Sequence, residues 1–216
     1  FLINELERVN RIHRGEHDFL YFMYEYFSDE RNPNNSSNLI PEGQDIDTAA
    51  DFHKELCSIL DDVTQQKVSK HIGWSVGRNH AKTAYLSNGY SAHQVVYRLK
   101  KYIVVVSETT DVASDFIAWV RYQLQLNAKL REDFGSLLEE RATLNELDNQ
   151  REFITSSHTK VEAKGSGTQM RGLRHLESRP DLFILDDLES HENTNTPELR
   201  AKNLAWFRGE MLEALG

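Results

Sequence analysis

Cysteine is almost absent from this chain: Cys57 is the single thiol among 216 residues. An internal disulfide is therefore excluded, and a reducing compartment is the natural setting. Cys57 itself reads as a small apolar group on a helix. Long apolar runs are missing too. None approaches the ~18–20 residues that a membrane span needs, so no membrane partner is expected. The opening residues Phe1-Leu2-Ile3-Asn4-Glu5 have no basic start and meet an acid at once, unlike a signal peptide. A first residue other than Met marks the sequence, on this reading, as a fragment. There are no internal repeats or low-complexity tracts. The nine histidines show no metal-ligand spacing, so no structural zinc is expected. Excess positive charge is lacking as well, since the net charge of −9 argues against a simple nucleic-acid coat protein.

The most informative absence is local. No Asp or Glu occurs between Asp62 and Glu108, while Lys67, Lys70, Arg78, Lys82, Arg98, Lys100 and Lys101 all fall there. A cationic stretch in an acidic protein points to an anionic ligand held at one place, with phosphate the obvious candidate.

What is present is an alternation of helical and strand patterns. Residues 1–29 read as helix, with aromatic crowding at 19–27 taken as a packing face. Asn32 to Asn38 is a polar breaker segment, and 1–46 reads as an N-terminal helical segment and linker ahead of a main domain at 47–216. Asp47-Thr48 followed by Ala49, Phe52, Leu56, Ile59, Leu60 and Val63 predicts an N-capped amphipathic helix. His71–Val76 predicts a short buried strand, and Ala81–Leu99 a helix. Tyr102–Ser107 is a β-branched run suited to a parallel strand covered on both faces. Helices are predicted over Asp111–Leu126, much of Leu130–Leu147, and Pro197–Leu215. Glu152–Ser156 and Thr159–Ala163 predict a hairpin across Ser157-His158, and Leu182–Leu185 predicts a strand that ends in acids. Strands alternating with helices imply an α/β fold with a mostly parallel central sheet flanked by helices.

Two segments carry chemistry. Gly77-Arg78-Asn79-His80-Ala81-Lys82-Thr83 stands between a predicted strand and a predicted helix, where small residues let backbone N–H groups point at phosphates and the helix N-terminus adds positive charge. Lys82 is suited to reach the β- and γ-phosphates of ATP, and the Thr83 hydroxyl to hold Mg²⁺. Val76 and Ala81 stand where the usual pattern has glycines, and Arg78 adds a second cation. The second segment, Asp181 to Glu189, is an apolar strand running into carboxylates, which are costly beside apolar surroundings unless a metal or base offsets them. Asp186 is in the metal position. Asp187 takes the place of a water-polarising acid, with Glu189 a rival for that role.

Together these segments resemble the large terminase subunits of tailed double-stranded DNA phages. Gly77–Thr83 is similar to that family's variant Walker A, including the arginine four before the lysine. Arg179–Glu189 is similar to its Walker B. The stretch Ala163-Lys164-Gly165-Ser166-Gly167-Thr168-Gln169-Met170-Arg171-Gly172 resembles the glycine-rich segment before Walker B, and Asp51-Phe52-His53 the adenine-contacting segment. The likeness spans roughly 50–205.

The resemblance implies a P-loop NTPase of the ASCE type, hydrolysing ATP with Mg²⁺ to move double-stranded DNA into a procapsid. Gly77, Arg78, Asn79, His80, Ala81, Lys82 and Thr83 then surround the phosphates, and Phe52 and His53 the adenine. Arg171 is the implied arginine finger, with Arg174 as the fallback. The implied partners are DNA held through its backbone, a homo-oligomeric ring on the portal and the small terminase subunit, all in the host cytoplasm. The family's coupling motif and RNase H-like nuclease domain are not visible, so an isolated ATPase domain without nuclease activity is expected. Two other readings stay open: a helicase-like P-loop translocase, and a nucleotide-binding module without turnover.

Overall fold

A computed structural model describes residues 2–66, 71–77 and 80–214. Lys67, Lys70, Arg78 and Asn79 lie outside the described residues, so the expectation of a second cation at Arg78 does too.

The N-terminal helical region is two helices, α1 (Leu2–His17) and α2 (Phe19–Phe27), broken at Asp18. The Asp18 carboxylate caps α2 by accepting the Tyr21 N–H at 2.9 Å, which satisfies one of the orphan donors of a helix start. Helix α2 reads Phe-Leu-Tyr-Phe-Met-Tyr-Glu-Tyr-Phe. A helix apolar all round belongs inside a protein, and Phe19, Phe22, Met23, Tyr26 and Phe27 are fully buried. The aromatic crowding is thus a packing face.

The next helix, α3 (Asp51–Thr64), begins later than the predicted cap at Asp47-Thr48. There the chain makes a 3₁₀ turn, Ile46–Thr48, in which Asp45 and Thr48 cap each other reciprocally. Thr48 is therefore committed to the turn and cannot cap α3. The strand expected at His71–Val76 is not formed: a strand needs a ladder partner, and this stretch is irregular and mostly exposed. Trp74 instead packs against the core beside Phe52.

From Lys82 the chain is helical, passing through a π-helical segment, Ala84–Tyr90, into α4 (Ser91–Val96). Gly89 in that segment lies so close to α2 that a Cβ there would stand 2.1 Å from Met23 Sδ. Then follow β1 (Tyr102–Ser107), α5 (Thr110–Leu126) and α6 (Ala128–Phe134). The helix predicted through Leu147 stops at Gly135, whose φ of +77° is a left-handed conformation that ends the helix without steric cost. Beyond it come β2 (Leu147–Asp148), β3 (Glu152–Ile154), β4 (Lys160–Gly165) and β5 (Leu182–Leu185). The chain closes with α7 (His191–Thr194), α8 (Pro197–Trp206), a second π-helical segment, Phe207–Met211, and α9 (Leu212–Ala214).

Among the described residues the strands form one mixed sheet in the order β2-β3-β4-β1-β5. Strand β1 runs parallel to β4 on one side and β5 on the other, while β2, β3 and β4 are joined antiparallel. The predicted hairpin is the β3–β4 pair. All six residues of β1 are buried, as a central strand with both faces covered requires. Its alternation divides the core: Ile103 and Val105 join the cluster containing α2, α3 and α5, whereas Tyr102, Val104 and Val106 meet Met170, Trp206, Phe207 and Met211. Helices therefore cover both faces. The three parallel strands end together at Ser107, Gly165 and Leu185, and the candidate site is assembled at that end.

Candidate functional site

Asp186 follows the last residue of β5 and continues its ladder, its N–H donating to the Val106 carbonyl at 2.9 Å. The period of two puts Leu182, Ile184 and Asp186 on the face that α2, α3 and α5 cover. A carboxylate carried there is out of water, and Asp186 is fully buried. Burial of a charge demands partners, and the helix starting at Lys82 supplies them. Thr83 Oγ1 donates to Asp186 Oδ2 at 2.6 Å, and Ser87 Oγ to the same oxygen at 2.9 Å. Lys82 Nζ stands 2.8 Å from Asp186 Oδ1 and donates to Asp187 Oδ1 at 2.5 Å.

The 2.8 Å contact is an ion pair without a directed hydrogen bond among the described residues. Asp186 Oδ1 is thus buried and charge-paired but accepts no directed hydrogen bond. Burial alone pulls the Lys82 ammonium down, yet its close contacts with the negative carboxylates of Asp186 and Asp187 outweigh it and raise its pKa above the usual lysine value. Among the described residues one cation faces two carboxylates here.

Both ends of this contact have unusual backbone. Ala81, where a glycine stands in the usual loop, has φ +54°, and Asp187 has φ +48°. Residues with a Cβ adopt this left-handed region at a cost, and such strain tends to be kept where the surroundings over-determine it. Ala81 bends the chain just before Lys82, and Asp187 turns it just after Asp186.

Around the loop lies an aromatic group. His53 Nε2 donates to the His80 carbonyl at 2.9 Å, and His80 Nδ1 to the Gly77 carbonyl at 3.1 Å. The His53 ring stacks on Tyr85 at 4.3 Å, while Phe52 meets His80 edge-on at 5.2 Å and Trp74 nearly parallel at 6.5 Å. Phe52 and His53, expected at an adenine, here brace the loop itself. Trp74 belongs to the group, although no sequence signal singled it out.

The remaining predicted residues are less closely gathered. Glu189 is exposed and Asp187 largely so. Arg171 holds the Gly209 carbonyl through its guanidinium and lies 3.5 Å from Glu210. Glu210 also accepts the Met170 and Arg171 N–H groups, so the arginine is tied to the C-terminal helical segment. Arg174 donates to the Leu176 carbonyl at 3.0 Å. Among the described residues neither arginine hydrogen-bonds or ion-pairs with the Lys82 cluster, and a depression of about 220 Å³ lined by Arg171 and Arg179 is bounded by none of that cluster's residues. No family model, curated protein or solved structure matches the chain.

Two residues that sequence reasoning missed belong to this end of the sheet. Ser87 is one, and its spacing of four from Thr83 was the available signal, since residues at that spacing share a helix face. Ser107 is the other. It extends the β1 register by one step beyond the Val106–Leu185 pair, next to Asp186, and its Oγ is buried without a hydrogen-bond partner among the described residues.

Among the described residues no group of three or more His, Cys, Asp or Glu is arranged to hold a metal ion. A magnesium site does not need one, because Mg²⁺ keeps several waters and uses one or two carboxylates together with substrate phosphates. The Asp186 carboxylate and the Thr83 hydroxyl are the donor types such a hard cation takes, provided that Lys82 leaves Asp186 Oδ1.

Proposed function

We propose that this chain is an ATP hydrolase centred on Lys82, Thr83, Asp186 and Asp187, and that it serves as the ATPase of a motor moving double-stranded DNA. One observation carries the reading. Residues more than 100 positions apart in sequence converge on a single buried carboxylate at the C-terminal ends of parallel strands, the end where open α/β sheets bind ligands.

In this reading Lys82 exchanges both Asp186 and Asp187 for the β- and γ-phosphates of ATP. The Thr83 hydroxyl and the Asp186 carboxylate would hold Mg²⁺, which neutralises charge on the phosphate oxygens. Asp187, released from Lys82, or the exposed Glu189 orients a water and accepts its proton. The water oxygen bonds to the γ-phosphorus as the bond from that phosphorus to the β–γ bridging oxygen breaks, giving ADP and inorganic phosphate. Phe52, His53 and Trp74 offer ring faces for the adenine. Arg171 acts on a neighbouring subunit's nucleotide after leaving Gly209, as the terminase resemblance implies for a ring. DNA is held through its backbone, which the net acidic charge confines to local cationic surfaces.

Hydrolysis measured at high protein concentration tests the reading. Lys82→Ala is expected to lower the rate by about 100-fold or more, the scale seen when one charge-stabilising donor is lost. Equal inactivity of wild type and variant, with ATP binding equally absent, overturns it. ATP binding that depends on Lys82 without turnover favours instead a non-hydrolysing module. The aspartate at the water-polarising position is the feature that supports that second reading.

A further inference from the structure

We infer that Ser87 is a positioning residue for Asp186: it fixes which carboxylate oxygen faces a bound cation. The inference rests on the nucleotide reading above and adds to it a residue outside the loop and outside the acidic strand end.

Ser87 is fully buried within the π-helical segment Ala84–Tyr90. Segments of this kind are rare and recur at functional sites, because the widened turn re-aims side chains. Here it sends the Ser87 hydroxyl to Asp186 Oδ2 at 2.9 Å, the same oxygen that accepts from Thr83 at 2.6 Å. Gly89 seats the segment against Met23, since any side chain at that position collides with the sulfur.

The consequence is an asymmetric carboxylate. Oδ2 is saturated by two hydroxyls from one helix, while Oδ1 has the Lys82 ammonium nearby and no directed hydrogen bond. A carboxylate held by one hydroxyl can rotate about its Cβ–Cγ bond. Two donors on a single oxygen pin that rotation, so Oδ1 stays directed toward the cation. The division of labour becomes sharper when Thr83 is drawn toward a metal, because Ser87 is then the remaining hydroxyl on Oδ2. Such outer partners of ligating carboxylates commonly change metal affinity by 10–100-fold when removed.

Calorimetric titration of ATP, with Mg²⁺ and with a chelator, into the wild type, Ser87→Ala and Ser87→Cys provides the test. Wild type is expected to gain affinity from Mg²⁺. Both variants are expected to bind ATP in chelator within about twofold of wild type and to lose about tenfold of the Mg²⁺-dependent gain. Ser87→Cys keeps the volume without a strong donor, so it separates the hydrogen bond from packing. An unchanged Mg²⁺ gain in either folded variant overturns the role. So does loss of cooperative unfolding in both variants, which makes Ser87 a packing residue. Absence of ATP binding by the wild type under either condition refutes the nucleotide reading itself, a distinct outcome.

Discussion

Among the described residues two carboxylates, Asp133 and Asp186, have fully buried side chains with ion-pair partners, and they are satisfied in opposite ways. Asp133, in α6, receives Arg11 through both oxygens at 2.8 and 2.7 Å, the Tyr26 hydroxyl at 2.6 Å, and Arg8 at 3.4 Å. Two cations and a phenol surround one anion, and the cluster staples α1 and α2 to α6. Asp186 shares one lysine with Asp187, and one of its oxygens lacks a directed hydrogen bond. The first arrangement is closed, because every lone pair it exposes is used. The second sets one ammonium against two carboxylates, and one Asp186 oxygen meets that ammonium without a directed hydrogen bond, the arrangement that the proposed cation site draws on.

Removing each anion should break this comparison if it is wrong. Asp133→Ala leaves two arginines and a buried phenol without their acceptor, and the unfolding free energy is expected to fall by about 3–5 kcal/mol, read by chemical denaturation. A loss below about 1 kcal/mol would mean that α1 is held some other way.

A second buried titratable group gives a pH handle on the same part of the molecule. His93 is fully buried beneath α2, its Nε2–H donating to the Gly15 carbonyl at 2.9 Å and its Nδ1 facing the Gln94 amide at 3.1 Å. Burial pushes its pKa down to about 4 from 6.5. The unfolded chain therefore binds a proton below pH 6.5 that the folded chain refuses until about pH 4. Stability should fall as pH drops through that window, by an amount on the order of 3 kcal/mol. In His93→Gln that slope should disappear from denaturation curves collected between pH 7 and pH 4. A slope identical to wild type assigns the acid sensitivity elsewhere.

Asp186→Asn sharpens the contrast. The amide oxygen can still accept from Thr83 and Ser87, and Lys82, which the amide NH2 turns away, keeps its pair with the exposed Asp187, so the loss should be about 1–2 kcal/mol, smaller than at Asp133. Asp133→Asn has no such compensation and should be visibly less stable in the same denaturant series. Equal losses in both variants would erase the distinction between a closed and an open cluster. The smallest expected effect is at Ala81, where glycine removes the penalty of a left-handed φ. Ala81→Gly should stabilise the fold by about 1 kcal/mol, and a lower melting temperature would show that the loop is not strained there.

Much of this was legible in the sequence because it depends on local pattern. The β-branched run Tyr102–Ser107, the apolar Leu182–Leu185 and the Ser157-His158 turn became β1, β5 and the β3–β4 hairpin. The spacing of Lys82 and Thr83 from Asp186 and Asp187 was readable as one site. What was not legible depends on distant partners. His71–Val76 reads as a strand, but only a neighbouring strand could have made it one, and Trp74 went to Phe52 instead. Ser87 and Ser107 are ordinary serines until the helix and the β1 register bring them to Asp186. Nothing near Asp133 in sequence announces Arg11, which lies 122 residues away. Gly135 was a readable stop within a long helical pattern.

The central claim is that the Lys82 cluster is open toward a polyphosphate and a cation, and a structure with a non-hydrolysable ATP analogue and Mg²⁺ tests it most directly. Lys82 Nζ is expected to leave Asp186 Oδ1 and Asp187, now 2.8 and 2.5 Å away, for a phosphate oxygen, with Ser87 still on Asp186 Oδ2 and the metal beside Oδ1. A Lys82–Asp187 pair that persists unchanged, with the analogue absent or bound elsewhere, would contradict the account.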